Sequence, residues 1–546
     1  MSRTNTQTAP PDKIRSGIKD RLNLQTVAAG VAVVLALPLV AIVASATTAV
    51  SPNWTHTAQT VLPLWTLNTL ALCVMVGVGV LALGIPPAWL VARYEFRGRK
   101  ALEVALVLPL AVPAYISAMA LGWLLDGAGP AQSALRALTG ADGEVLPSIR
   151  SPGGAALVLS FALYPYVYLL SRRAFLAEGG EAFEIARSLG ARPLRAFLRV
   201  ALPLARPAIA AGAALALMET LAEYGALQLL GVNTWTTAVF RSWLSLGDPV
   251  LASQLASLLL VAVAVLLLAE RAGRGGRSYV FARRVSATRM RALLPGWRGG
   301  LATAVCLLPP FFGFALPGLV LLRLAAEAAP SPGLLSAVRS SFVLSVLSVC
   351  VVVPLVVVAA YGLRRRGEVM RSRAARFASG VVTLGYATPG AVTAVGVVGV
   401  FTIFGGGGAV AALGLWGLLY AYAVRFAAPA LEVVDAGLAK VRPSLEDAAR
   451  GLGCGGAETL LRVHLPLLSP SLGTGALIVF VEVMKELPAT LLIRPFGYET
   501  LAVRAWSLAA DERLGEASYP GLLVMLAGLL PVYLLMRSAE PRPRRL

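Results

Sequence analysis

Long apolar runs alternate with short polar stretches along almost the whole chain. The runs fall near residues 25–50, 66–92, 101–123, 153–172, 206–230 and 250–270, then 299–324, 339–362, 377–403, 409–428, 468–492 and 518–536. Each is about twenty residues, the length an α-helix needs to cross a bilayer core of about 30 Å. The pattern predicts an all-α membrane protein with about twelve transmembrane helices in two sets of six. Within the first run, Ala44-Ser45-Ala46 resembles a signal-peptidase site. That run exceeds the roughly 7–15 apolar residues of a signal peptide, so an uncleaved first helix is expected.

Composition agrees with this and settles how to read the charge. Of the 546 residues 57% are hydrophobic and 14% charged, more apolar surface than a soluble core can hide. A net charge of +20 would point to nucleic acid in a soluble protein. Here the arginines sit in short loops between apolar runs, as orientation signals do, and nucleic acid is not an expected partner. Arg93, Arg97, Arg99 and Lys100, the stretch 172–206, the stretch 364–376 and Arg542, Arg544 and Arg545 all fall on the side of the acid-free segment 271–298. That side is expected to be cytoplasmic, with both termini on it. The expected division is a tail 1–24, a first repeat 25–270, an Arg-rich linker 271–298, a second repeat 299–536 and a tail 537–546. Cys73, Cys306 and Cys350 lie in apolar runs and Cys454 in a basic loop, which suggests no disulfide framework. His56 and His464 are too few for a metal cluster and read as ordinary polar residues.

The halves repeat each other. "EAFEIARSLGARPLRAFLRVALP" occupies 181–203 and "LEDAARGLGCGGAETLLRVHLP" closes the stretch 444–466. Gly190 matches Gly453, 263 positions on, and the same offset pairs Pro203 with Pro466, Glu219 with Glu482, Glu223 with Glu486 and Trp243 with Trp506. Two even-numbered sets of crossings share one orientation and form parallel repeats, unlike the inverted repeats of many secondary transporters. Ala186, Ala448 and Ala449 favour helix, Gly190 and Gly453 suit a helix end with positive φ, and Pro193 prevents direct continuation. A short helix, a turn and a second helix are expected in each copy. A basic loop held by anionic lipid would explain the charge but neither the duplicated spacing nor the glycines.

Glu184, Ala186, Gly190 and Pro203, and again Asp447, Ala449, Gly453 and Pro466, resemble the EAA loop of ABC-importer permeases, with Ile185 and Asp447 as departures. The resemblance implies the type I ABC-importer permease fold in a bacterial inner membrane. It also implies two ATPase subunits docked one per loop, and a periplasmic substrate-binding protein opposite. No Gly-x-x-x-x-Gly-Lys-Ser/Thr loop occurs: Lys13, Lys19, Lys100, Lys440 and Lys485 are followed by Ile, Asp, Ala, Val and Glu. The chain is therefore expected to be no enzyme and to hold no cofactor, with ATP and Mg on the separate ATPase.

Charged groups at mid-membrane are costly and normally face a path or partner. Glu219 and Glu223 lie one helical turn apart in the fifth run, and Glu482 and Glu486 hold the same places in the eleventh, with Lys485 between. Tyr115, Tyr224 and Tyr386 lie in similar apolar surroundings. Carboxylate and phenolate oxygens suit a hard cation, so the four glutamates are a candidate transient metal site. The alternative is a packing role, with Glu482 paired to Lys485 and Glu219 or Glu223 protonated or capped by a neighbour. Pro113 and Pro389, each in the third run of its half, are expected to kink those helices beside the path. "LPLAVPAYISAMALGWLLDGAGPAQ" (108–132), "ALMETLAEYGALQLLGVNTWTTAVFRSW" (216–243), "YATPGAVTAVG" (386–396) and "EVMKELPATLLIRPFGYETLAVRAW" (482–506) resemble the fused two-domain permeases of bacterial ferric-iron importers. That resemblance implies ferric iron as cargo, with thiamine or another small solute as the alternative. An ion-coupled secondary carrier using the same glutamates stands as a third reading.

Overall fold

The computed structural model describes residues 11–273, 291–363, 385, 388–409 and 414–539. Most of the Arg-rich linker, Tyr386 and the last residues of the predicted tail lie outside them. Among the described residues the chain is helical apart from turns and one two-residue ladder, Tyr94–Glu95 pairing in parallel with Ala292–Leu293. Helices satisfy their backbone polar groups internally, which hydrocarbon demands.

Among the described residues ten helices are long and apolar enough to cross a membrane, and one bent pair, counted as one span, makes an eleventh. They follow the predicted runs except at 377–403, whose residues 377–384, 386 and 387 lie outside the described residues and which is described only as the shorter helix Gly390–Ala409. The other differences have local causes. The first helix begins at Pro11, well before the apolar run, and its apolar part is Ala29–Thr48. The run predicted at 101–123 bends by 96° between Arg99–Ala111 and Ala114–Thr139. Val112 there is extended, with φ −104° and ψ 111°, because the residue before a proline is pushed out of the helical region. Pro113 therefore starts the helix Ala114–Leu125 rather than kinking one. Pro389 likewise directly precedes the helix Gly390–Ala409, so the expected mid-helix kinks are helix starts. The runs predicted to reach 230 and 492 stop at Ala222 and Lys485, then resume as the short helices Gly225–Leu229 and Pro488–Ile493.

The described chain forms two compact units that interleave along the sequence. One comprises Met1–Ala41, Val343–Ala387 and Gly396–Val483, the other Ile42–Phe342, Thr388–Val395 and Met484–Leu546. Within the larger unit, helices Leu62–Arg93, Pro152–Leu176 and Leu202–Ala222 pack through small residues. A Cβ on Gly212 would stand 2.8 Å from Val167 Cα and 2.9 Å from the Tyr166 carbonyl oxygen. Close helix approach of this kind replaces the hydrophobic drive that lipid cannot supply. Val76, Val80, Tyr164 and Tyr168 fill the same contact, all fully buried. In the smaller unit, Gly475 of the helix Leu465–Lys485 packs on Ala430 of Gly414–Leu438, and the Tyr420 hydroxyl donates to the Val34 carbonyl.

Candidate functional site

The duplicated loops adopt the same backbone path. In the first copy the helix Glu178–Ser188 ends at Gly190, φ +88°, where the Ala191 N–H donates to the Ala186 carbonyl at 3.0 Å. In the second the helix Pro443–Gly451 ends before Gly453, φ +89°, and the Cys454 N–H donates to the Ala449 carbonyl at 3.0 Å. This left-handed C-terminal closure is the arrangement glycine favours. The chain then re-enters a helix at Pro193 or Gly456 and runs through a π-turn, Phe197–Ala201 or Leu460–His464. It emerges into a spanning helix with Pro203 or Pro466 in its first turn. The π-turns thus occupy equivalent places in the repeats. Leu189 and Leu198, and their counterparts Leu452 and Leu461, are exposed, leaving matched apolar side chains on both loops. Glu184 and Asp447 are exposed, Ala186 is half-buried and Ala449 buried.

The foundations of the loops differ. Glu184 pairs with Arg93 at the end of Leu62–Arg93. The Arg93 guanidinium also lies 4.9 Å from the Phe183 ring centre, and Trp89 meets Phe175 and Phe183 edge-on at 5.1 and 4.9 Å. The first acidic residue of the motif is therefore engaged within the chain. In the second copy Glu446 stands where Phe183 stood, and its Oε1 is 3.3 Å from Nε2 of the fully buried His464. Tyr361 adds a ring 5.2 Å from His464 and a hydroxyl that donates to the Gly456 carbonyl at 3.2 Å. His464 is thus a structural anchor rather than an ordinary polar residue. Sequence reasoning missed Arg93, Phe183, Glu446 and Tyr361. The unlike pairs at equivalent positions, Phe183 with Glu446 and Ala201 with His464, were the available signal.

Glu223 and Glu486 do not sit inside a helix as predicted. Each is the first residue beyond the long helix, at equivalent places, and each carboxylate accepts from the short helix that follows. The Ala226 N–H donates to Glu223 Oε1 at 2.8 Å, and the Ala489 N–H to Glu486 Oε1 at 2.8 Å. Glu486 Oε2 also accepts from the Thr490 N–H at 2.9 Å and the Thr490 hydroxyl at 2.5 Å. Short helices leave their first N–H groups without intrahelical partners, and in an apolar interior a carboxylate satisfies them strongly. The cap expected as the alternative for Glu219 or Glu223 is present at Glu223, and Glu486 carries the same geometry. Glu219 remains in the helix Leu202–Ala222, and Glu482 in Leu465–Lys485, both half-buried.

Tyr115, in the first turn after Pro113, is buried and lies within electrostatic range of Glu223 and Glu486. Its hydroxyl has no hydrogen-bond partner among the described residues. Gly225 admits this approach: a Cβ there would lie 2.8 Å from Tyr115 Cβ and 2.7 Å from Leu487 Cδ2. Tyr224 is buried, stacked on Phe240 at 3.5 Å and tilted against Trp506 at 5.5 Å, while the Trp506 indole N–H donates to the Gly225 carbonyl at 3.3 Å. The three helix breaks thus meet around one phenol and two carboxylates. Among the described residues no group of three or more His, Cys, Asp or Glu is gathered to hold a metal.

Comparison with known proteins adds an independent observation. The profile of a family described as binding-protein-dependent transport system inner membrane component matches residues 81–270 and again 353–545. An Fe(3+)-transport system permease protein of Haemophilus influenzae is 26% identical over 483 residues, 86% of this chain and 89% of that protein. A probable molybdenum ABC transporter permease of Haloferax volcanii is 32% identical over 168 residues, 30% of this chain and 59% of that protein. A sulfate transport system permease of Escherichia coli is 30% identical over 194 residues, 34% of this chain and 66% of that protein.

Proposed function

Since the chain belongs to the family of inner-membrane components of binding-protein-dependent transport systems, we propose that it is the fused permease of a ferric-iron importer. It is a multi-pass, all-α permease of the type I ABC-importer kind with two repeats. Membership also removes the ion-coupled carrier from consideration.

The reading of iron rests on one observation, the relative named for Fe(3+) transport that aligns with 86% of this chain and 89% of its own length. The sulfate and molybdenum permeases are somewhat more identical but align with about a third of the chain. They make an oxyanion the second reading, and thiamine a third.

In the mechanism, a periplasmic binding protein delivers cargo to the outer loops, and two copies of an ATPase dock on loops 181–203 and 444–466. The exposed pairs Leu189 and Leu452, Leu198 and Leu461 supply the apolar part of each docking face. ATP and Mg act on the ATPase, and closure of its two copies drives the loops and the spanning helices fused to them between inward and outward access. Both termini face the cytoplasm. Glu223 and Glu486 are engaged by backbone donors of the short helices that follow them. Tyr115 offers the path an unengaged hydroxyl.

The deciding experiment reconstitutes permease, ATPase and matching binding protein in proteoliposomes and measures ATPase stimulation by ferric iron, thiamine, sulfate and molybdate. Stimulation by ferric iron alone is expected. Stimulation by sulfate or molybdate without iron would replace iron as the cargo and leave the permease assignment standing.

A further inference from the structure

Where the helix Leu62–Arg93 leaves the membrane, three arginines crowd around two glutamates. Arg99 donates through Nε to Glu95 at 2.9 Å and through a terminal nitrogen to Glu103 at 2.7 Å, and Arg172 also pairs with Glu103. Arg291 approaches from the other side of the sequence, held there by the ladder that pairs Glu95 with Leu293. Arg172 lies within electrostatic range of Arg291, Arg99 and Arg173. Three guanidiniums against two carboxylates leave positive charge in excess, with Arg173 adding to it. The Nε groups of both Arg172 and Arg291 are buried without a hydrogen-bond partner among the described residues. Buried donors in native proteins normally find acceptors, and a donor set of matching sign and geometry calls for an oxyanion.

The surroundings narrow the choice. The cluster lies at the ends of two spanning helices, Leu62–Arg93 and Pro152–Leu176, and just before a third that starts at Trp297. Leu293 is 77% exposed and Trp297 75% exposed. An exposed Trp at a span end is the side chain that membrane interfaces select. The chain preceding Arg291, residues 274–290, carries arginines and no acid, so its charge cannot neutralise the cluster.

We propose that Arg172 and Arg291, backed by Arg99, bind the phosphate of one anionic phospholipid of the cytoplasmic leaflet, whose acyl chains lie along Leu293 and Trp297. The shared chemistry, a phosphate oxyanion, also exists as free phosphate, so the test separates the sources.

Native mass spectrometry on the full chain in detergent would count retained phosphatidylglycerol against phosphatidylcholine. The wild type is expected to retain phosphatidylglycerol preferentially. Arg291→Gln should weaken retention roughly fivefold, the effect of one interfacial arginine, while Arg291→Lys largely restores it and shows that the fold is intact. Trp297→Ala should weaken the lipid without changing any effect of inorganic phosphate. Equal phosphatidylglycerol retention by wild type and Arg291→Gln would overturn the site. Displacement of the lipid by millimolar inorganic phosphate, with Trp297→Ala behaving as wild type, would overturn the lipid as its ligand. Loss of the lipid when the ATPase binds would reassign the cluster to that protein interface.

Discussion

At the scale of single residues, the two capping glutamates separate cleanly by what they accept. Glu486 accepts from the Ala489 N–H and from both the N–H and the hydroxyl of Thr490, whereas the donors to Glu223 are backbone N–H groups at the start of the following helix, Ala226 foremost. A glutamine keeps one acceptor oxygen but turns an NH2 toward whatever the second oxygen served. Glu486→Gln is therefore expected to lose about 1–3 kcal/mol, since a buried donor is left unmade, and Glu223→Gln appreciably less. Thermal unfolding in detergent checks this, and equal shifts would contradict the capping role. Asp248 offers a pH-dependent case outside the membrane. Burial raises its pKa, but hydrogen bonds from the Leu251 and Val250 N–H groups, the Ser51 hydroxyl and the Asn53 amide outweigh that and hold it below the usual carboxylate range. A depressed folded pKa contributes stability that is present above the unfolded value, about 3.9, and is lost as pH falls through the folded one. Asp248→Asn should therefore flatten the fall in melting temperature below about pH 4. These roles were not legible in the sequence. Asp248 bonds to Ser51, 197 positions away, and Arg93 reaches Glu184 across 91, separations that no local pattern encodes.

Among the elements, spans and loops were legible and breaks were not. Twenty-residue apolar runs and a duplicated spacing carry their own periodicity, so both helix–turn–helix loops and the long helices other than those predicted at 101–123 and 377–403 lie close to where the sequence puts them. The break at Ala222 falls in "ETLAEYGAL", where Ala, Leu and Glu favour continued helix and packing overrides them. Its twin was readable: Pro488 lacks the N–H that a continuous helix needs and its ring crowds the preceding turn, and the register at 263 transfers the break to Gly225. The π-turns at 197–201 and 460–464 left no sequence signal, since each inserts one extra residue without changing the apolar pattern. The loop glycines give the sharpest test at this scale. Gly190 and Gly453 have φ near +88° and +89°, and nothing lies within 4 Å of a Cβ built on either. The cost of Gly190→Val with Gly453→Val is thus backbone strain alone, at least 1–2 kcal/mol per site, confined to the loops. The double variant should insert normally in the membrane yet lose its ATPase on co-purification. Undiminished recovery of the ATPase would show that the loop ends are not part of docking.

For the whole molecule, orientation is the expectation most open to direct measurement. Cys454, in the second loop, is the one cysteine in a basic stretch, and it is partly exposed. An impermeant maleimide should label it in inverted vesicles and not in intact spheroplasts, while a cysteine at the exposed Asp142 should show the reverse. The opposite pattern would invert every assignment of side, including the faces given to the ATPase and the binding protein. The interleaving of the two compact units carries a different consequence, for gene fission. A cut within 274–290 separates the sequence repeats, yet it leaves Met1–Ala41 on one fragment and its unit mates Val343–Ala387 and Gly396–Val483 on the other, and divides the second unit likewise. Neither fragment then inherits a complete folding unit. Produced alone, each should be degraded or aggregate; produced together, they should be recovered as one complex, because every fragment carries what the other needs to fold.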